Sequence, residues 1–213
     1  MSKVHEAYCL DSQQGQLLWY DDFLGRVLAD EWYVYMSGGA GSAAVVDQQN
    51  GGIVRLTSHS DSGDYVVISW QDFRSLLVTK EVAIEVRMKM TSIAAIEAIL
   101  YLFANWSNYI EFGYSAARYS RWYFDSANGG VSSPIFDSGI TVTGNYTRLK
   151  IVCHTHGANH IHFLADDVEC ANSPITNAAH IPLGYLNPRI YVITREAATK
   201  SLDIDYVVVK QNR

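Results

Sequence analysis

Apolar residues recur at every second position over much of the chain. Ile53-Val-Arg-Leu-Thr, Tyr65-Val-Val-Ile-Ser-Trp, Val82-Ala-Ile-Glu-Val-Arg-Met-Lys-Met, Tyr146-Thr-Arg-Leu-Lys-Ile-Val-Cys and Leu202-Asp-Ile-Asp-Tyr-Val-Val-Val all show this pattern. A period of two puts alternate side chains on opposite faces of an extended chain, so each segment predicts a strand with one buried face. β-Branched and aromatic residues dominate these runs, and such side chains suit a half-buried pleated surface. In Val82–Met90 the two faces separate cleanly: Val82, Ile84, Val86, Met88 and Met90 on one side, Ala83, Glu85, Arg87 and Lys89 on the other. Clusters of turn residues interrupt the strands, among them Ser37-Gly-Gly-Ala-Gly-Ser, Gln48-Gln-Asn-Gly-Gly, Ser60-Asp-Ser-Gly-Asp, Ser126-Ala-Asn-Gly-Gly and His156-Gly-Ala-Asn. Roughly fifteen strands are expected, many at the ~8–12-residue spacing of β-sandwiches. Helical periodicity is scarce. Ile93–Leu100 leads into Tyr-Leu-Phe and reads mostly as strand, while Asp11–Gly15 and Asn172–His180 read as loops. The expected architecture is all-β: two antiparallel sheets packed face to face in a jelly-roll sandwich. Residues 1–16 form an N-terminal arm in this reading and residues 17–213 a single domain, since no repeat or shift of composition marks a second.

Composition narrows the function. The 213 residues carry 16 Lys and Arg against 22 Asp and Glu, a net charge of −6, and only 18% are charged. A nucleic-acid binder needs a basic field to meet phosphates, so that class is excluded as an expectation. With 12% aromatic residues the chain is also far from a disordered composition. The opening MSKVHEAYCLDSQQGQ has no apolar core, so no secretory signal is expected. The longest apolar run, Ala98–Ala104, is too short to span a bilayer, and no membrane partner is expected. Cys9, Cys153 and Cys170 are odd in number and far apart, with no C-x-x-C pattern, as for free thiols in a reducing compartment. Without a signal, the sequons at Asn105 and Asn145 read as chance matches.

Two constellations could carry chemistry. The first is His154-Thr-His156-Gly-Ala-Asn-His160-Ile-His162. If Ile151, Cys153, Ile161 and Phe163 share the core face, the turn is Gly157-Ala-Asn159. His156 then faces His160 and His154 faces His162, all four on the outer face. Cross-strand neighbours have Cβ atoms ~4.5–5.5 Å apart, which suits a shared zinc ion. The alternatives are an exposed polar strand face lining a subunit contact and adventitious nickel or zinc binding. The second is aromatic. Sugars stack their C–H faces on aromatic rings, with a few polar groups for hydroxyls. Trp106, Tyr109, Glu111, Tyr119, Arg121 and Tyr123 are the candidate ligand-binding set, against the alternative that such rings fill the core or an oligomer interface. Tyr109 and Glu111 share one strand face, and Arg121 and Tyr123 share another. Glu81 and Glu85 point the same way but lie about 13 Å apart at ~3.3 Å per residue, too far for the ~5–5.5 Å of a retaining glycosidase pair. No Gly-x-Ser-x-Gly elbow, Walker A motif or dinucleotide fingerprint occurs.

Three stretches resemble the concanavalin A-like lectin/glucanase superfamily. They are Trp19-Tyr-Asp-Asp-Phe with Trp32 and Asn50-Gly-Gly-Ile-Val-Arg-Leu; Tyr146-Thr-Arg-Leu-Lys-Ile with Ile161-His-Phe-Leu-Ala-Asp-Asp-Val-Glu-Cys-Ala; and Leu202-Asp-Ile-Asp-Tyr-Val-Val-Val-Lys-Gln. The opening also resembles lectin-like domains of bacteriophage virion proteins, and a missing signal fits assembly in a host cytoplasm. The resemblance implies a jelly roll. It also implies that a calcium ion could tie the first strand to the last through Asp22, or Asp21, and Asp205. Laminarinase-type members carry E-x-D-x-x-E or E-x-D-x-E on one strand, and this chain has neither. Lyase relatives use an arginine-rich strand with Gln-x-His, echoed only by Glu85-x-Arg87-x-Lys89. The expected function is therefore a non-catalytic structural and binding module of a virion. It would sit on the virion surface, meet other virion subunits or copies of itself, and bind glycans. The alternative is a polysaccharide hydrolase or lyase using Glu85, Arg87, Tyr109 and Glu111.

Overall fold

A computed structural model describes residues 16–24, 28–47, 52–70, 76–154 and 159–212. In chain order the strands are β1 (Gln16–Asp21), β2 (Trp32–Met36), β3 (Ser42–Asp47), β4 (Ile53–Thr57), β5 (Tyr65–Trp70), β6 (Leu76–Leu77), β7 (Val82–Met90) and β8 (Ile96–Asn105). They continue with β9 (Asn108–Ser115), β10 (Arg121–Asn128), β11 (Val131–Ser132), β12 (Phe136–Thr141), β13 (Thr147–His154), β14 (His160–Ala165), β15 (Val168–Glu169), β16 (Tyr185–Thr194) and β17 (Ser201–Asn212). Two short 3-10 turns, Val78–Lys80 and Ala178–His180, are the helical material among the described residues.

The strands form two antiparallel sheets. One has eight strands in the order β15-β14-β13-β7-β17-β4-β3, with β1 on the far half of β17. The other has nine in the order β11-β10-β9-β8-β16-β5-β2, with β12 on β10 and β6 on β16. The alternation of β7 is realised as predicted: its five apolar side chains are buried and the intervening ones half-exposed. Aromatic pairs bridge the layers at both ends. Phe124 of β10 stacks on Phe163 of β14 at 4.2 Å between ring centroids. At the other end Trp19 of β1 meets Trp70 of β5 at 4.8 Å and Trp32 of β2 at 5.5 Å. Edge-to-face and offset pairs of this kind add to the burial of large apolar surfaces.

The Asp-Asp-Phe segment closes one end. Asp21 accepts the Phe23 backbone N–H at 2.8 Å and the Trp32 indole N–H at 2.9 Å, so its buried carboxylate clasps β1 to β2. Gly52 lies so close to this corner that a Cβ there would sit 1.7 Å from the Phe23 carbonyl oxygen. Cys153 and Cys170 are free, buried thiols, and burial raises both to about 12. Cys9, His156, the Asp11–Gly15 loop and most of the Gln48–Gly52 turn lie outside the described residues.

Candidate functional site

The nine-stranded sheet turns its inner side chains, such as Leu100, Phe112 and Phe124, into the sandwich core. Its outer face carries a second apolar cluster. Ile99, Tyr101 and Phe103 of β8 are buried there, with Tyr109, Tyr191 and Ile193 packed around them. Trp106, in the β8–β9 turn, leans on this cluster at 5.1 Å from Phe103 and 6.4 Å from Tyr101, yet is 71% exposed. On β2, Tyr33 and Tyr35 stand exposed on the same face, 4.8 Å apart between ring centroids.

Strand register aligns a polar row across the middle of this face. Tyr33 pairs with Ser69, Ser69 with Arg189, Arg189 with Tyr101, Tyr101 with Glu111 and Glu111 with Asp125. The Tyr101 hydroxyl donates to Glu111 Oε2 at 2.8 Å, and the Tyr123 hydroxyl donates to Glu111 Oε1. The Tyr109 hydroxyl donates to Asp125 Oδ2 at 2.9 Å. Asp125 Oδ1 is buried and receives no N–H or hydroxyl donor among the described residues. The Glu111 and Asp125 carboxyls face each other across β9 and β10.

Burial governs the titration of this pair. It pushes Glu111 up to about 7, helped by the charge of Asp125 and opposed by the Tyr123 and Tyr101 hydroxyls. It raises Asp125 to about 6, against the Tyr109 hydroxyl, the neighbouring Glu111 carboxyl and the charge of Arg118. Two adjacent carboxyls in a poorly solvated site cannot both ionise cheaply, so the proton belongs to the pair rather than to one residue. Burial also raises the Tyr101 and Tyr123 hydroxyls, with the Glu111 charge next, and takes Tyr109 to about 12. Nearby, buried Glu97 accepts Ser115 Oγ at 2.6 Å and pairs with Arg195 at 2.5 Å. The Arg189 guanidinium lies 4.3 Å above the Phe103 ring.

No protein-family model matches the chain, and no curated protein matches it in sequence. Solved structures do match. The Bacillus licheniformis beta-glucanase superposes with a TM-score of 0.66 at 13% identity, covering 90% of this chain and 97% of that one. The carbohydrate recognition domain of Emp47p gives 0.65 at 10% identity, covering 95% and 97%. The Crh5 transglycosylase gives 0.68 at 12% identity, covering 92% and 85%. The fold is that of the concanavalin A-like lectins and glucanases.

On this lectin/glucanase scaffold, Tyr109, Glu111, Arg121 and Tyr123 all lie on one sheet face rather than on two, because β9 and β10 are neighbours in register. Arg121 is exposed and bonds Asp137 at 3.2 Å. Tyr119 sits in the connecting turn, its ring 5.4 Å from Tyr123. The sequence reading missed Tyr33, Tyr35, Glu97, Tyr101, Asp125 and Arg189. Asp125 alternates with Arg121 and Tyr123, which was the available signal; the others sit in runs whose two faces are both apolar.

The other candidates lie elsewhere. Glu85 and Arg87 are on the outer face of the eight-stranded sheet, so they cannot act with Glu111 and Tyr109. Glu85 accepts the Tyr206 hydroxyl at 2.7 Å and lies 3.6 Å from Lys150 Nζ. Arg87 pairs with Asp205 and lies over the Tyr146 ring. Asp205 thus already faces a cation, and Asp22 Oδ1 accepts the Leu24 N–H at 3.4 Å. Among the described residues, one group of three metal-capable side chains has donor atoms within 4.8 Å of one another: His59, Asp61 and Asp64, in the β4–β5 turn. In the histidine hairpin His154 faces His160, and His162 faces Val152. The expected pairing of His154 with His162 is therefore corrected by two residues, because the connection is longer than a three-residue turn. Parity survives the shift, and the three rings share one face.

Proposed function

We propose that this domain binds glycans on the outer face of the nine-stranded sheet. The observation that carries the reading is the exposed Trp106 resting on an aromatic floor, with Tyr33 and Tyr35 on the same face. Exposed aromatic platforms over an apolar patch, bordered by fixed polar groups, match what the C–H faces and hydroxyls of sugars need. The fold is shared with a carbohydrate recognition domain and with glycan-cleaving enzymes, which supports a carbohydrate ligand.

Binding is favoured over cleavage by the state of the carboxyls. Glu111 and Asp125 stand directly opposite each other on β9 and β10. Both Glu111 oxygens and one Asp125 oxygen are already occupied by tyrosine hydroxyls. The pair reads as a rigid floor that positions Tyr101, Tyr109 and Tyr123. The decisive experiment is a polysaccharide panel, scored in parallel for retardation in affinity electrophoresis and for release of reducing or unsaturated ends. Retardation lost in Trp106→Ala, without product, is the expected result. Turnover abolished by Glu111→Gln would establish an enzyme instead. The setting we propose is a virion or comparable assembly, supported by the likeness of the opening segment to bacteriophage lectin-like domains. A strictly monomeric protein that joins no particle would remove that part.

A further inference from the structure

We propose that His154, His160 and His162 form a binding site for a borderline divalent cation of the zinc class, on the sheet opposite the glycan face. The three imidazoles occupy one face of the β13–β14 hairpin, with His154 and His160 directly opposed and His162 next along β14. A zinc ion sits ~2.0–2.1 Å from a ring nitrogen, which places it about 3.2 Å from the ring centroid; two imidazoles on one tetrahedral ion then have centroids about 5 Å apart. The centroids of His154 and His162 are 5.2 Å apart, and those of His160 and His162 are 6.1 Å apart. Binding an ion would turn the rings about their side-chain torsions to bring the nitrogens together.

A second observation points the same way. His162 Nδ1 lies 2.7 Å from Glu169 Oε1, and that carboxylate is itself held by Ser173 Oγ at 2.8 Å. A carboxylate accepting the Nδ1–H of an imidazole fixes the tautomer in which the Nε2 lone pair is free, the usual arrangement behind a metal-bound histidine. His154 is exposed and the other two rings are half-buried, so an ion can enter from solvent. Three neutral nitrogens suit zinc, cobalt, nickel or copper and not calcium or magnesium, which prefer oxygen. A fourth position is left for water or an external ligand.

The alternative cluster is less suited. Asp64 Oδ1 already accepts Ser37 Oγ at 3.0 Å, and Asp64 Oδ2 already meets His59 Nδ1 at 3.0 Å. Calorimetric titration of the full chain with Zn²⁺ at pH 7.5, with Co²⁺ absorption as the geometric readout, tests the proposal. One equivalent should bind with a dissociation constant on the order of micromolar. His154→Ala/His162→Ala should weaken it at least 100-fold, Glu169→Gln about 10–100-fold, and His59→Ala not at all. Circular dichroism checks that each variant folds. Failure to bind Zn²⁺, binding that survives the double substitution, or binding lost in His59→Ala would each overturn the assignment.

Discussion

Replacing Glu111 with Gln should stabilise this protein at pH 8 while changing little at pH 5. In the folded chain the Glu111 carboxyl is raised from 4.5 to about 7 and the Asp125 carboxyl from 3.8 to about 6, chiefly by burial. Between about pH 4 and pH 7 the folded state therefore binds more protons than the unfolded state. Stability from the pair is complete below about pH 4, falls as pH rises through that window, and is lost above about 7. Holding one carboxyl near 7 rather than 4.5 corresponds to about 3 kcal/mol, at ~1.4 kcal/mol per tenfold change in proton affinity. Gln mimics the protonated acid: it carries no charge opposite Asp125, and its carbonyl accepts from one of the two tyrosines. The other tyrosine hydroxyl loses its acceptor, at a cost of about 1 kcal/mol. The net gain at pH 8 is then about 2 kcal/mol, or roughly 1 M in the urea midpoint for a slope of ~2 kcal/mol/M. Urea unfolding followed by tryptophan fluorescence at pH 5, 6, 7 and 8, at fixed ionic strength, measures this. Comparing the slopes of the two proteins cancels every group they share. A wild-type midpoint that is flat or rises from pH 5 to pH 8, or a variant with the same slope as wild type, refutes the reasoning.

Three further outcomes are expected. Trp106→Ala should abolish glycan retardation but shift the unfolding midpoint by less than about 0.5 kcal/mol, because the ring is 71% exposed; loss of stability without loss of binding would count against the site. Arg55 holds Asp203 through a two-pronged contact at 2.6 and 2.8 Å, and Asp203 is 6% exposed. Arg55→Met should cost about 2 kcal/mol, discounted from the fully buried case because the arginine is partly exposed, and adding Asp203→Asn should recover part of it; equal stability of single and double variants would deny the coupling. Gly52→Ala should destabilise by more than about 3 kcal/mol, since its Cβ would collide with backbone at Phe23; soluble protein with an unchanged thermal midpoint would show that the corner relaxes easily.

What could be read along the chain was whatever a single strand carries by itself. β7 announces its two faces because one is buried and the other half-exposed, and a handful of such strands suffices for a sandwich. β8 hides its chemistry. Eight of its ten positions, on both faces, are buried, so Glu97 and Tyr101 sit inside a run that reads as uniform core. Nothing along the chain announces that Asp21 gives both oxygens to N–H donors. In the histidine hairpin, parity was legible from the flanking apolar residues, but register depends on the length of the connection. The carboxyl pair is the most instructive case. A search for catalytic acids along one strand tests spacings of ~6.6 Å per two residues, and this chain fails it. Glu111 and Asp125 meet across strands instead, 14 residues apart in sequence. Their contact exists only because the Ala116–Ser120 turn holds β9 and β10 in register, and a slip of one residue would send Asp125 into the core. That turn is closed by Arg118 and Tyr119 N–H groups on the Ser115 carbonyl. The floor of the glycan face is therefore set by pairings between strands, and a single-strand motif could not have revealed it.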